Sequence, residues 1–281
     1  MIRPDRVIFA LRESPDWAAL AAYHAAGLPI DPDRYARPRN IPSFPPDIVD
    51  LIARWDRFAA IPFFACRVEL KAIAATTLAA VTGAETIPHT ALQAHLATHP
   101  LANGLLFFCD DDDWFAPNLL STLPEIPADT DAVVFPLARL AVESFTIARP
   151  GDEPGTRVID PIGPVHPFVL RYHTNNYALT ARALAKSIPA TLIEHRQASD
   201  TADRLAFTDL HCPHIVAVTS KTPCSASLLS TVVADADRFQ AYITHYLKSL
   251  KHLPIPPSHA WLRDPLWRTI RLFERVAPRR R

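Results

Sequence analysis

Short apolar runs alternate with helical patterns through the first half of the chain. The segment from Val7 to Leu11 is apolar and has the length of a strand. A Ser-Pro-Asp sequence at residues 14–16 then predicts a helix start, with Ser as N-cap and Pro at the first helical position. The run from Leu105 to Cys109 is apolar without alternation, which is typical of a parallel strand buried on both faces. Strands that alternate with helices predict an α/β fold.

The remaining segments extend this pattern. Further helices are predicted over residues 15–27, 47–57, 69–82, 90–98, 117–123, 181–187 and 235–250, and from residue 264 onward. Further strands are predicted over residues 61–68, 131–136, 140–148, 168–180 and 214–218. Residues 29–46 are rich in proline and predict a long loop. We therefore expect a main domain over residues 1–230 and a C-terminal helical extension with a basic end over 231–281.

The composition is that of a globular protein and excludes several ligand classes. Of the 281 residues, 49% are hydrophobic and 21% are charged. The 29 Lys and Arg residues balance the 29 Asp and Glu residues, which argues against a nucleic-acid partner. The chain has only 6 glycines, and none are spaced as in Walker-type or dinucleotide-binding loops.

The cysteines and the hydropathy of the chain indicate where in the cell the protein is expected. The 4 cysteines are scattered without a Cys-x-x-Cys pair, which favours reduced thiols over a disulfide framework or a zinc knuckle. No apolar stretch is long enough to cross a bilayer. Glu13 and Asp16 follow the first apolar run at once, so the N-terminus does not resemble a signal peptide. We expect a cytoplasmic protein.

Four adjacent aspartates, Asp110 to Asp113, follow the predicted buried strand directly. Each neighbouring pair of carboxylates repels by about 1 kcal/mol even in water, so such a cluster favours a bound cation. In an extended segment residues two apart point the same way, and Asp110 and Asp112 would offer two hard oxygen donors to Mg²⁺ or Mn²⁺. Open α/β sheets bind ligands at the carboxyl ends of strands. The alternative is a solvated acidic loop.

The surrounding sequence resembles a known family. Gly104-Leu-Leu-Phe-Phe-Cys-Asp110-Asp-Asp112-Asp113-Trp-Phe-Ala-Pro117-Asn118-Leu119 resembles the strand and Asp-x-Asp-Asp motif of GT-A glycosyltransferases, in particular family-2-like and rhamnosyltransferase-like members. The resemblance implies a GT-A-like fold, with a mixed, mostly parallel central sheet flanked by helices. It also implies that Asp110 and Asp112 hold a divalent metal ion on the diphosphate of a nucleotide sugar.

The same resemblance assigns neighbouring residues and a reaction. Asp111 would contribute to the metal and diphosphate site, Asp113 would take a supporting or sugar-contacting role, and Trp114 would contact the substrate. The reaction would move a sugar to a hydroxyl of a glycan or lipid-linked acceptor, in synthesis of envelope glycan or polysaccharide. A metal ion held by carboxylates would stabilise the charge that develops on the nucleoside diphosphate as it leaves.

Polar residues in later segments are further candidates for substrate contacts. His173, Asn175 and Asn176 interrupt a strand-like run and could bind sugar hydroxyls, or could form a β-bulge or turn. Lys221 and Ser225 could bind phosphate oxygens, although a Lys in a loop is usually only solvated. Asp31, Asp33 and Arg37 lie in a loop suited to contacts with the nucleotide base.

An inverting reaction also needs a general base near the acceptor hydroxyl. By the resemblance, Asp200 is the first candidate and Glu194 the second. The alternative is that Ser199 or Asp200 only caps a helix. The general base, and with it the inverting or retaining outcome, therefore stays open at this point.

The C-terminal segment predicts an amphipathic helix. Leu266, Ile270 and Phe273 line one face with Trp267 beside them, and Arg268, Arg271 and Arg275 lie on another face. Such a helix suits peripheral contact with an anionic membrane surface. The alternative, which the sequence favours, is a helix docked on its own domain.

Two other function classes stay open. Aspartate-nucleophile phosphohydrolases also place Asp-x-Asp after an apolar strand, with Asp110 as nucleophile and Asp112 as acid–base. These enzymes have Thr or Val two residues after the second Asp, where this chain has Trp114. The other class is a non-catalytic module that binds a sugar nucleotide.

Overall fold

A computed structural model describes residues 1, 3–12, 21–22, 25–26, 48–136, 138–140, 171–172, 175–255 and 257–277. The predicted loop over 29–46, most of the predicted helix over 15–27, most of the predicted strand over 140–148, and residues 168–170 and 173–174 of the predicted strand over 168–180 lie outside these residues. In the described part of 168–180, the strand is shorter than predicted and spans Tyr177–Leu179. The described residues form β-strands and α-helices that alternate through the first half, which confirms the predicted α/β class.

The strands are short. In chain order they are β1 (Val7–Arg12), β2 (Ala84–Pro88), β3 (Leu105–Asp110), β4 (Asp113–Phe115), β5 (Ala132–Val134), β6 (Ala138–Leu140), β7 (Tyr177–Leu179), β8 (Asp209–His211) and β9 (Ala217–Ser220).

The helices range from one turn to five. In chain order they are α1 (Ile48–Phe58), α2 (Phe63–Ala80), α3 (Leu92–Thr98), α4 (Leu119–Thr122), α5 (Ala181–Lys186), α6 (His195–Arg204), α7 (Ala226–Val232), α8 (Ala236–Lys251) and α9 (Arg263–Val276). None of the described helices is both long and apolar enough to span a membrane.

Six strands form a central sheet in the order β2-β1-β3-β7-β5-β8. β1 is parallel to both β2 and β3, and β5 is parallel to β8. β7 runs antiparallel to its two neighbours, β3 and β5. The sheet is therefore mixed and mostly parallel, as predicted, and it is compatible with a Rossmann-like fold.

The chain changes direction across this sheet between β1 and β3. It passes from β1 to β2 on one side and then returns to β3 on the other side. In open α/β sheets the crevice at the carboxyl ends of two such strands is the usual place for a ligand. Arg12 and Asp110 are register partners at the ends of these two strands.

Both faces of the central sheet are buried. Alternate residues of β1 and β3 belong to two separate apolar clusters, because successive side chains of a strand point to opposite faces. One cluster includes Leu78 of α2 and Leu119 of α4. The other includes Leu92 of α3, Ala183 of α5 and Ala198 of α6. Helices thus flank the sheet on its two faces.

Three further strands form a small sheet in the order β4-β9-β6. β4 is antiparallel to β9, with Trp114 opposite Val218, and β6 is parallel to β9. The Phe115 ring of β4 packs against Phe9 at a tilt and against Phe107 edge-on, with ring centroids 4.5 and 5.4 Å apart. The small sheet therefore begins at Asp113, the last of the four aspartates, and is anchored in the same core.

The described residues fall into two compact units. One comprises those of 1–13, 72–140 and 159–220 and contains both sheets. The other comprises those of 14–71, 141–158 and 221–281 and is helical. The division predicted at residue 230 stays a prediction, because compact units need not coincide with a catalytic domain and its extension.

Aromatic packing forms the core of the helical unit. The Trp55 ring of α1 meets Phe63 and Phe239 edge-on, at centroid distances of 5.7 and 5.1 Å. Tyr246 of α8 packs against Phe273 of α9 at 5.1 Å. The apolar face predicted for the C-terminal helix is buried, which is the docked arrangement of the two alternatives.

The predicted strand over residues 61–68 is wrong, because α2 begins at Phe63. Buried positions recur three or four residues apart from Phe63 through Cys66 and Leu70, which is a helical period. Asp56 accepts the Phe63 N–H at 2.8 Å and so fixes this helix start. The sequence patterns also missed the short strands β2, β4 and β8, and the strand predicted over 214–218 begins later, at Ala217.

Candidate functional site

An ion pair joins the carboxyl ends of the two central strands. Arg12 Nε lies 2.9 Å from Asp110 Oδ1, and Arg12 Nη1 donates to the Ile193 carbonyl at 3.1 Å. The Arg12 side chain is largely buried, whereas that of Asp110 is 38% exposed. Burial lowers the pKa of Arg12, but the negative charge of Asp110 and neighbouring groups raises it beyond its ordinary value. The crevice therefore contains a permanent, partly neutralised cation.

Asp113 is the buried member of the acidic cluster. It lies at the start of β4 with no exposed surface, and its Oδ2 accepts the Asp110 N–H at 2.7 Å. Its Oδ1 has no hydrogen-bond partner among the described residues. Burial, followed by the charges of Asp110 and Asp112, raises the pKa of this carboxyl well above its ordinary value. The buried Asp113 carboxyl thus closes the turn between β3 and β4 through the Asp110 N–H.

The two middle aspartates form the turn itself. Asp111 and Asp112 connect β3 to β4 and are partly exposed. The Asp112 carbonyl accepts the Ser220 N–H at 3.3 Å, which ties the turn to the end of β9. The cluster is therefore not a freely solvated loop, since one end is paired with Arg12 and the other is buried.

The Trp114 ring lies in the interior. Trp114 is 2% exposed, and its backbone pairs with Val218 in the small sheet. Its predicted sugar contact stays a prediction, and this burial gives it no support.

The Asn pair lies in a turn that leads into β7, as one of the two interpretations expected. The Asn176 carbonyl accepts the Phe135 N–H at 2.7 Å. Asn175 is 1% exposed, and neither polar atom of its amide has a partner among the described residues. Sugar binding by these amides stays a prediction. His173 and the loop residues Asp31, Asp33 and Arg37 lie outside the described residues.

Tyr177 and Arg12 are neighbours of this edge that the sequence patterns missed. Tyr177 begins β7, donates its hydroxyl to the Leu192 carbonyl at 3.0 Å and stacks on Tyr172 with centroids 4.5 Å apart. Burial raises the pKa of Tyr177, so this phenol stays neutral and acts as a hydrogen-bond donor. One sequence signal could have identified Arg12. It directly follows the apolar run of a predicted strand, just as Asp110 does.

The two candidate bases lie on α6. Glu194 is the N-cap of this helix, and its carboxylate accepts the Gln197 N–H at 3.0 Å. Helix capping by Ser199 or Asp200 is therefore wrong, since both lie inside the helix. The Ser199 hydroxyl instead accepts the Tyr172 N–H at 2.9 Å.

Glu194 is nearer in sequence than Asp200 to Ile193, the residue that contacts Arg12. Glu194 directly follows Ile193, whose carbonyl is bonded to Arg12. Asp200 is exposed and lies six residues further on, about 9 Å along a helix axis. The two possible bases are thus distinguished by their surroundings.

The two predicted phosphate contacts belong to the helical unit. The Ser225 hydroxyl accepts the Thr222 N–H at 3.0 Å and is buried, whereas Lys221 is partly exposed. This turn uses the Ser225 side chain to hold its own backbone. Phosphate binding by Lys221 and Ser225 stays a prediction.

Within the described part of the chain, no three His, Cys, Asp or Glu residues form a ready-made metal site. The donor set still fits the predicted ion. Mg²⁺ keeps several waters and is usually bound by one or two carboxylates plus substrate phosphates, not by an all-protein cage. Asp110 and Asp112 supply two such carboxylates, and both are partly exposed.

Comparisons with known proteins do not assign the chain to a family. No protein-family model matches the sequence, and no curated protein matches it either.

Proposed function

We propose that the chain is a metal-dependent glycosyltransferase of GT-A type, which moves a sugar from a nucleotide-diphosphate donor to an acceptor hydroxyl. One observation carries the proposal. The Asp110–Asp113 segment ends a central strand where the strand order of an open α/β sheet reverses, with Arg12 beside it. Acidic residues and one fixed cation at this position suit a metal ion and a diphosphate.

In this proposal Asp110 and Asp112 hold Mn²⁺ or Mg²⁺, and Asp111 adds negative charge beside them. The ion supplies stabilisation of the negative charge on the leaving nucleoside diphosphate. Arg12 holds Asp110 Oδ1 at 2.9 Å and so orients the carboxylate. Asp113 fixes the turn from the protein interior through the Asp110 N–H.

The general base is proposed from two carboxylates. Glu194 is supported by its position next to Ile193, whose carbonyl Arg12 binds. Asp200 is supported by the sequence resemblance alone. Activities of Glu194→Gln and Asp200→Asn distinguish them, because loss of the base lowers the turnover rate by about 100-fold or more.

The remaining contacts complete the proposal. His173, Asn175, Asn176, Asp113 and Trp114 are proposed for the sugar, and Lys221 with Ser225 for the phosphates. The acceptor is proposed to be a glycan or a lipid-linked glycan used in envelope synthesis. Work at the cytoplasmic face of a membrane, through peripheral contact of α9, belongs to the same proposal.

The test is a screen of nucleotide sugars for metal-dependent release of nucleoside diphosphate. Wild type should release product with Mn²⁺ or Mg²⁺ and stop with a chelator. Asp112→Asn should lose about 100-fold or more in rate. The matched control is Asp129→Asn, an exposed aspartate of the same compact unit outside the site.

Two other outcomes would replace this function. Hydrolysis of a chromogenic phosphate ester, abolished by Asp110→Asn, would indicate an aspartate-nucleophile phosphohydrolase. Stabilisation by a sugar nucleotide without turnover of any donor would indicate a non-catalytic binding module.

A further inference from the structure

Two cysteines from distant parts of the sequence meet inside the helical unit. Cys66 of α2 and Cys224, which precedes α7, are 158 positions apart, and their Sγ atoms lie 3.3 Å from each other. Both thiols are free and fully buried. Cys109 and Cys212 are also free, but they belong to the other compact unit.

The backbone on both sides of this pair is held in place. The Cys66 N–H donates to the Pro62 carbonyl at 3.0 Å, in the first turn of α2. Arg67, the next residue, donates to the Cys224 carbonyl at 3.4 Å. Cys224 itself lies in the turn closed by Thr222 and Ser225. The two sulfurs are therefore kept together by structure around them, beyond their own contact.

We propose that Cys66 and Cys224 are a redox modification site that forms an intramolecular disulfide. To form a disulfide, the two sulfurs must approach from 3.3 Å to about 2.05 Å. The proposal does not rest on the glycosyltransferase function, because it concerns only the contact between the two thiols, although Cys224 lies between the proposed phosphate contacts Lys221 and Ser225.

The reaction balances with a peroxide or with a small disulfide as oxidant. Hydrogen peroxide oxidises one thiol to a sulfenic acid and releases water, and the second thiol then attacks that sulfur and releases a second water. With glutathione disulfide, the first thiolate attacks the S–S bond, forms a mixed disulfide and releases one glutathione thiolate, and the second thiolate then displaces the other glutathione. In both routes the two thiols lose two electrons and two protons in total.

Burial sets the rate of this reaction. Thiol oxidation requires the thiolate, and burial raises the pKa of the Cys224 thiol well above its ordinary value. Oxidation of the native protein is therefore slow and proceeds through local opening of the unit. The disulfide, once formed, closes a loop of 158 residues and restricts the unfolded chain, so it stabilises the protein.

The experiment exposes the purified full-length chain to glutathione disulfide for hours, then alkylates the remaining thiols in denaturant and maps the peptides by mass spectrometry. We expect one peptide pair that links Cys66 to Cys224, with Cys109 and Cys212 alkylated. The melting temperature should rise by about 5 °C and return after reduction.

Two variants serve as controls. Cys224→Ser should lose both the linked peptide and the thermal shift, whereas Cys109→Ser should keep them. The test on wild type needs no variant to fold. Glutathione adducts on the two residues separately, a different pairing, or complete alkylation of all 4 cysteines after prolonged exposure would overturn the proposal.

Discussion

Asp113 accepts the backbone N–H of Asp110 through its buried carboxyl, with a distance of 2.7 Å from nitrogen to Oδ2. This bond closes the turn between β3 and β4. The last of the four aspartates is therefore buried and holds the backbone of the first. Asp110, Asp111 and Asp112 remain partly exposed and are the carboxylates that a ligand can reach. The cluster thus separates into one buried aspartate that closes the turn and three aspartates that are partly exposed.

The buried carboxyl should make stability depend on pH. Its folded-state pKa lies above the ordinary value of 3.8, so the native state keeps a proton that the unfolded chain releases. The contribution of this group to the free energy of unfolding is therefore fully present below pH 3.8 and is lost as pH rises through the folded-state pKa. Asp113→Asn removes this titration. At pH 8 we expect the variant to be more stable than wild type by about 1–3 kcal/mol.

The measurement for Asp113→Asn is urea unfolding at pH 4, 6 and 8 in the presence of a chelator. The advantage of the variant should shrink toward pH 4, where both side chains are neutral. A wild-type protein that gains stability relative to the variant as pH rises would contradict the assignment.

The ion pair between Arg12 and Asp110 should be measurable as a coupling energy. Asp110→Asn leaves a largely buried guanidinium with a poorer partner, and Arg12→Met leaves the carboxylate without its cation. We expect each change to cost about 1–3 kcal/mol in the free energy of unfolding. Because Asp110 is partly exposed, solvent weakens the pair, and the double-mutant cycle should give a coupling of about 1 kcal/mol. Additive effects of the two changes would show that the contact contributes nothing.

The sequence predicted the strongly patterned elements well. The apolar runs of β1 and β3 are strands, and Asp235 caps α8 by accepting the Arg238 N–H, as the predicted helix over 235–250 requires. It did not predict β2 or β8, because each is a short edge strand with few buried residues. These two strands form because they pair with β1 and β5, and not because of an apolar pattern in their own sequences.

The site was predictable only in part. The four aspartates are adjacent in the chain, so their placement after a buried strand could be inferred directly. Arg12 and Tyr177 lie beside them only because β1 and β7 pair on either side of β3. Strand register between distant segments has no local signature, and these two residues therefore escaped the sequence patterns.

A second buried carboxylate should be important for stability alone. Asp131 has no exposed surface and accepts Lys186 Nζ at 2.6 Å, Arg182 Nε at 3.1 Å and the Thr208 N–H at 2.8 Å. Asp131→Ala removes all three acceptor contacts at once. We expect a loss of about 2–4 kcal/mol, less than for a fully buried network because both cations are partly exposed.

The control for Asp131→Ala is Asp129→Ala, two residues away and exposed, which should change stability by less than about 0.5 kcal/mol. Chemical denaturation measures both. Equal effects of the two changes would show that the network around Asp131 does not stabilise the fold.

The exposed side of α9 should bind anionic vesicles weakly. Its apolar face is buried, but Trp267 is 52% exposed and lies under the Arg271 guanidinium, 4.7 Å from its ring centroid. Arg271→Gln should reduce partition to phosphatidylglycerol vesicles about fivefold, since each basic residue near such a surface contributes about 1 kcal/mol. Cosedimentation at low and high salt measures this. Equal binding to neutral vesicles, or no binding to either kind, would contradict peripheral membrane contact.

Calorimetric titration with nucleoside diphosphates, with and without Mn²⁺, tests the central claim most directly. The account predicts that at least one nucleoside diphosphate binds in the presence of Mn²⁺. Its affinity should fall tenfold or more, a loss of about 1.4 kcal/mol, with a chelator or in Asp112→Asn, and should be unchanged in Asp129→Asn. Binding that is indifferent to the metal and to Asp112, or no binding of any nucleoside diphosphate, would contradict a metal–diphosphate site at the end of β3.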